Sequence, residues 1–234
     1  MLIKSRINRF AALLLSFLFA VVLLTGCADG KTKLSGRIAH IYGGTLLIAG
    51  DDGELYFAAI GDADTGGAKI SPGQRAEMEY RGGLKETYPA EINNLEKISL
   101  TGEESNIVDV YFGITKEVIG ERRPERIVYD FSGTDHLTES EQEAIGYIGW
   151  TELDIEPYYG TPEELQEQGI EFNPYGETIL QFAIGEDGLL TVRMETSYET
   201  SSAYEAQIKV FQLSETEGEW TADLLEEEHE EGTE

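Results

Sequence analysis

Apolar positions fall into three rhythms along this chain. Residues 10–24 are a nearly unbroken apolar run, preceded by Lys4, Arg6 and Arg9 and by no acidic residue. From about residue 34 to residue 100, short apolar alternations are separated by Gly, Pro and Asp punctuation, the pattern of strands joined by turns. Beyond residue 105 the alternations continue, but two stretches carry helix-start signals instead.

In the first strand-rich region, 34–41 alternates with Leu34, Ile38 and Ile41 as inner-face candidates, and Gly43-Gly44 marks a hairpin turn. Residues 46–48 and 55–57 follow on either side of the turn Asp51-Asp52-Gly53, and 61–67 reads as a surface loop. Residues 75–80 place Ala76, Met78 and Tyr80 on one side, and 95–100 supplies a last strand. Five short strands in this length, with one excursion through Tyr88-Pro89-Ala90, suggest a small OB-like barrel.

The second region opens with two predicted strands, 107–114 and 126–131. Thr138-Glu-Ser-Glu141 has the form of a capping box, with Ala144, Ile145 and Ile148 at helical spacing behind it. That predicts a helix to about Glu152, with Gly146 and Gly149 marking close packing on a sheet. Thr161-Pro162-Glu163-Glu164 starts a second, shorter helix that Gly169 ends. Strands are expected over Thr178–Ile184, Leu189–Ser197, 204–213 and 219–225, and the imperfect alternation of Glu205, Gln207 and Val210 against Ala206, Ile208 and Phe211 suggests a bulge. The expected fold class is therefore α+β, mostly β: a five-stranded OB-like barrel over 33–102, then an α+β domain over 105–222 with two short helices against an antiparallel sheet.

Composition changes the picture at both ends. The N-terminal apolar run is shorter than the ~20 residues of a membrane-spanning helix, and a basic start before such a run is the layout of a secretory signal. It closes on Leu24, Thr25, Gly26 and Cys27, the only cysteine in the chain. This segment resembles the lipobox of bacterial lipoprotein signal peptides. The resemblance implies cleavage after Gly26 (signal peptide 1–26), diacylation of the Cys27 thiol and a short tether over 27–32. It also implies a location on the extracytoplasmic face of the cell membrane, the membrane being a partner through diacylglycerol. Two acyl chains hold stably where one gives only marginal binding. A second resemblance, to an OB-like domain of unknown function in Gram-positive bacterial lipoproteins, is carried by Gly36-x-Ile38, Ser71-Pro72-Gly73-Gln74, Gly82-Gly83 and Glu86-Thr87-Tyr88-Pro89-Ala90.

The whole chain has net charge −28. Residues 27–102 carry 8 basic and 11 acidic residues, whereas 103–222 carry 6 and 27. The last twelve residues add 7 acidic and no Lys or Arg, and 223–234 are expected to form a disordered acidic tail. Such acidity argues against nucleic acid, whose recognition starts from a basic footprint.

Candidate chemistry is sparse. His40, His136 and His229 lack metal-ligand spacing, and no cofactor or metal ligand set is expected. Asp62, Asp64 and the Asp51–Glu54 run depart from the twelve-residue calcium loop. Ser132 beside Asp130, Asp135 and His136 is the sharpest nucleophile candidate, but it lacks a G-x-S-x-G elbow and no catalytic residue is assigned. A binding surface is expected from Tyr158 and Tyr159, beside Pro157, and from the basic cluster Arg122, Arg123 and Arg126, while Trp150 is expected in the core. The function these features suggest is non-enzymatic binding of a protein, peptide or envelope component. The alternative is an envelope hydrolase, or an accessory to one, acting through the second domain.

Overall fold

The structure, a computed structural model, describes residues 31–120, 124–170, 178–185, 187–197 and 203–233. Cys27 and its preceding Leu24, Thr25 and Gly26 lie outside these residues, as do Arg122 and Arg123. The chain is mostly β, with two sheets and three helices among the described residues.

The first sheet has seven strands: β1 (Lys31–Tyr42), β2 (Thr45–Gly50), β3 (Leu55–Ala59), β4 (Gln74–Arg81), β5 (Leu84–Lys85), β6 (Ala90–Ile92) and β7 (Leu95–Glu104). Their order is β5-β6-β3-β2-β1-β4-β7. The five expected strands are present, and the Tyr88-Pro89 excursion contributes β5 and β6 as two more. No strand pair closes this sheet into a barrel among the described residues; one isolated bridge, Asp64 to Lys97, links the loop after β3 to β7. One face nevertheless buries itself, with Ile38, Leu46, Ile48, Met78 and Ile98 packed together. A single sheet can do this only by curling over its own side chains.

The same sheet has a second apolar face. Leu46 and Ile48 join the core just described, whereas Leu47 and Ala49 of the same strand point the other way, into a core shared with the helices. In β1, Ile38 and Ile41 share an inner face despite their odd spacing because the register shifts between Ile38 and His40.

The second sheet has the order β13-β12-β11-β10-β8-β9, built from β8 (Arg126–Gly133), β9 (Glu156–Tyr159), β10 (Thr178–Ile184), β11 (Leu189–Ser197), β12 (Ala203–Thr216) and β13 (Glu219–Thr233). It is mixed, not antiparallel as expected. β8 runs parallel to both β9 and β10, and only β10 to β13 form an antiparallel meander. The reason lies in α2 (Glu139–Leu153), which carries the chain from β8 back to the start of β9, and such crossovers produce parallel neighbours.

Two further differences stand out. The predicted strand at 107–114 is the helix α1 (Ile107–Ile119). Its buried residues Ile107, Val108, Tyr111, Ile114, Val118 and Ile119 repeat with the helical period, which outweighs its β-branched composition. A third helix, α3 (Pro162–Glu167), is the short one expected. Finally, the acidic tail is not disordered: Glu226 to Thr233 pair in register with Val210 to Ala203 as the second half of β13. The ladder to β12 supplies the backbone hydrogen bonds that the tail's composition could not supply alone. A bulge does occur in this ladder, but the extra residue is Leu225 of β13, between the pairs Phe211–Leu224 and Val210–Glu226, and not a residue of 204–213 as expected.

The helices α1 and α2 occupy the space between the two sheets. Residues 144–149 of α2 are buried without interruption, as a helix contacted from both sides must be. Both capping boxes form as expected, at Thr138 with Glu141 and at Thr161 with Glu164. The two α2 glycines sit where the helix meets the second sheet. A Cβ on Gly146 would lie in severe overlap with the Tyr159 hydroxyl, and one on Gly149 would lie 2.9 Å from the Tyr129 hydroxyl.

This geometry gives opposite signs to two identical substitutions. Gly146→Ala should destabilise the fold by about 1–3 kcal/mol, because overpacking exceeds the gain in helix propensity. Gly113→Ala in α1, where a Cβ meets nothing within 4 Å, should stabilise by up to about 1 kcal/mol. Urea unfolding followed by circular dichroism reads both.

Candidate functional site

Among the described residues a cleft of about 680 Å³ opens where the first sheet meets the start of α1, the start of α2 and the first residues of β13. Its charged groups come from distant parts of the chain. Arg37 lies on β1, Asp51 and Asp52 on the β2–β3 turn, Arg75 on β4, and Glu139 and Glu141 in the first turn of α2. His136 and Trp220 form its other wall, with ring centroids 5.5 Å apart and planes nearly parallel.

Most of these charges answer one another. Arg37 Nε donates to Glu141 Oε1 at 2.8 Å, and its Nη1 donates to the Gly73 carbonyl at 3.0 Å. The other Glu141 oxygen accepts the Thr138 N–H at 3.0 Å, so one carboxylate closes the capping box and holds the first sheet. Arg75 pairs with Asp51 at 2.5 Å. Asp52 accepts from the Tyr56 hydroxyl at 2.6 Å and from the Glu54 N–H at 3.3 Å. Beside them, the Ser140 hydroxyl donates to the Gly50 carbonyl at 2.8 Å. An arrangement so internally satisfied latches the layers together; it aims no activated group at a vacant position.

His136 is the histidine of the cleft wall. Burial holds its pKa below the ordinary histidine value, outweighing Asp135 and Glu141, which raise it. Its Nε2 shares a 2.9 Å hydrogen bond with the Tyr111 hydroxyl. The Ser132 candidate does not assemble: the Ser132 N–H donates to Asp130 Oδ1, Asp135 is fully exposed, and no hydrogen bond joins Ser132 to His136 among the described residues. Asp64 accepts from the Gly66 N–H in a local turn, and no cluster of three or more metal-ligating side chains occurs among the described residues.

The expected Tyr158, Tyr159 and Arg126 surface is split by the strand pleat. Arg126 Nε pairs with Glu156 at 3.1 Å, and its guanidinium lies 5.6 Å from the Tyr158 ring centroid at the β9 edge. Tyr159 turns inward instead, stacking on Tyr129 and donating its hydroxyl to the Glu143 carbonyl at 2.8 Å. Trp150, expected in the core, is 45% exposed and stands edge-on to Tyr147. Tyr88, 56% exposed, meets the same Tyr147 ring and donates to Glu143 Oε2 at 3.1 Å. The Glu143 carboxyl is itself raised by burial, an effect the Tyr88 bond partly offsets. Sequence reasoning missed both the Arg37–Glu141 latch and this aromatic surface. Arg37 lies 104 positions from Glu141, and Tyr88 lies 55 from Glu143. No local pattern signals either pairing.

The chain matches no protein-family model, and none of the curated proteins matches it. Among the described residues no helix is long and apolar enough to cross a membrane.

Two measurements check this geometry. Arg37→Met leaves the nearly buried Glu141 carboxylate without its partner and should cost about 3 kcal/mol of unfolding free energy. For His136, a folded pKa below the unfolded value of ~6.5 means that the unfolded chain takes up the proton first. Stability from this group is therefore full above ~pH 6.5 and is lost as pH falls towards the folded pKa. His136→Gln should flatten that loss in urea midpoints measured from neutral pH downward.

Proposed function

We propose that this chain is an exported lipoprotein, held on the extracytoplasmic face of the cell membrane by diacylglycerol on Cys27, that binds a protein, peptide or envelope component. The observation that carries this reading is the N-terminal sequence: Lys4, Arg6 and Arg9, the apolar run 10–24, then Leu24-Thr25-Gly26-Cys27. The fold is compatible with a short tether. β1 begins at Lys31, four residues beyond Cys27, a separation of at most ~14 Å along an extended chain. An anchored chain would therefore carry its first sheet close to the bilayer.

Binding rather than catalysis is favoured by the cleft, whose charges pair with one another, and by the exposed Trp150 and Tyr88 rings, the residue types that dominate binding surfaces. We read the first sheet as OB-like, on the grounds of its curled form, its self-enclosed core and the Asp64–Lys97 bridge. That reading concerns shape and assigns no ligand.

Replacing Cys27 by alanine tests the anchor. The wild-type protein is expected in the membrane fraction, and in the detergent phase after partitioning. Cys27→Ala should either accumulate with its first 26 residues uncleaved or appear in the soluble fraction. A variant that is processed and retained in the membrane as the wild type is would overturn the lipoprotein reading.

A further inference from the structure

Strand β13 is the last strand of the second sheet, and among the described residues β12 is the only strand it pairs with. Among the described residues its outer edge is capped at the start. There the Asn106 side chain accepts from the Trp220 N–H at 2.6 Å and donates to the Trp220 carbonyl at 3.0 Å. These are the two bonds a neighbouring strand would make, supplied by one amide. Past Trp220 no further strand among the described residues takes up the edge, which makes it a template for another strand.

The two faces beside that edge differ. On the helix side lies a mostly apolar groove of about 520 Å³, lined by Val110, Gly113, Ile114 and Glu117 of α1 and by Phe211, Ala222 and Leu224. Leu224 is 43% exposed; Leu225, the extra residue at the bulge, is 50% exposed. On the opposite face the pairing register places Glu226, Glu228 and Glu230 opposite Val210, Ile208 and Ala206. Glu230 pairs with Arg193 at 2.9 Å, whereas Glu226 and Glu228 form no ion pair among the described residues. From Asp223 to Glu231 there are six carboxylates and no Lys or Arg.

Charge selects the occupant. A second copy of β13 would set carboxylates against carboxylates across the new ladder, which is destabilising, and an anionic lipid surface is repelled for the same reason. We propose that the free edge of β13 takes up an extended cationic segment of a partner protein as a seventh strand, with apolar side chains against the α1 groove and Lys or Arg against Glu226 and Glu228. This names the partner class within the binding reading above and does not depend on the lipid anchor.

The test uses the full-length chain in detergent and a fluorescein-labelled alternating Lys-Val peptide of about nine residues. Anisotropy should show saturable one-to-one binding that weakens about tenfold or more between ~50 and ~500 mM salt. A peptide of identical charge whose amides are N-methylated on the edge facing β13 should bind about tenfold more weakly, having lost its ladder bonds. Leu224→Asp should weaken binding while thermal unfolding shows the fold intact. The double variant Glu226→Lys, Glu228→Lys should exchange preference from Lys-Val to Glu-Val peptide, a result that loss of folding cannot mimic. Equal binding of the methylated peptide, equal binding of Glu-Val peptide to the wild type, or no saturable binding would each overturn the proposal, leaving the charge as a guard against edge-to-edge association. Because membrane partitioning of Cys27→Ala is a separate readout, failure here leaves the lipoprotein reading standing.

Discussion

A strand with no solvent face sets the terms for this architecture. In β2, Leu46, Leu47, Ile48 and Ala49 are all buried, and they divide alternately between two cores. The first sheet can bury one set by curling on itself, but Leu47 and Ala49 then need cover from outside. That cover comes from α1 and α2, whose far sides are in turn covered by the second sheet. Apolar burial at ~25 cal/mol per Å² favours covering such a face. The consequence for α2 is severe. Buried through 144–149, it has room for the second sheet only where it lacks side chains, hence Gly146 against Tyr159 and Gly149 against Tyr129. Two helix-weakening residues are thus what allow the layers to close.

Apolar packing alone would let such layers slide, and polar contacts fix their alignment. Glu141 spends one oxygen on the Thr138 N–H and the other on Arg37, which also reaches the Gly73 carbonyl. Arg37 is 16% exposed and Glu141 is 7% exposed, so this pair owes its worth less to net attraction than to the penalty of breaking it. The Ser140 hydroxyl on the Gly50 carbonyl makes a second such contact from the same helical turn. Misalignment by one residue would strand a buried charge, which is how a polar pair confers specificity without large net stability.

What could be read from the sequence was whatever short-range physics determines. Both capping boxes need only residues three apart, and both formed. The close packing at Gly146 and Gly149 was legible in the helix pattern, whereas the bulge expected within 204–213 falls on the neighbouring strand at Leu225. The segment 107–114 was misread because Ile, Val, Tyr and Phe favour strands locally. Its helical period emerges only when Val118 and Ile119 are counted. The parallel pairing of β8 with β9 and β10 depends on where α2 deposits the chain, and no window of sequence records that. In the candidate cleft, Arg37, Arg75 and Trp220 carried no local signal at all. Tyr158 and Tyr159 were read as one patch, although adjacent strand residues must face opposite ways.

The tail shows how composition misleads when a partner strand is available. Six carboxylates between Asp223 and Glu231 repel one another and bury little, so alone they would stay unfolded. Against β12, however, alternate residues exchange backbone bonds that are indifferent to side-chain charge, and among the described residues two cations answer the strand: Lys209 at Glu227 and Arg193 at Glu230. Lys209 is held in turn by the Glu117 carbonyl and carboxylate of α1, which ties the acidic strand to the helix layer. Exposed surface pairs contribute little to stability, and the first sheet's pairs, Lys31, Lys33 and Arg81 with Glu77, Glu79 and Glu96, serve mainly to balance its surface. The second sheet has no comparable supply of cations. Its surplus negative charge therefore remains concentrated on the last described strand of the sheet, and the cationic strand proposed above would answer that charge while extending the ladder.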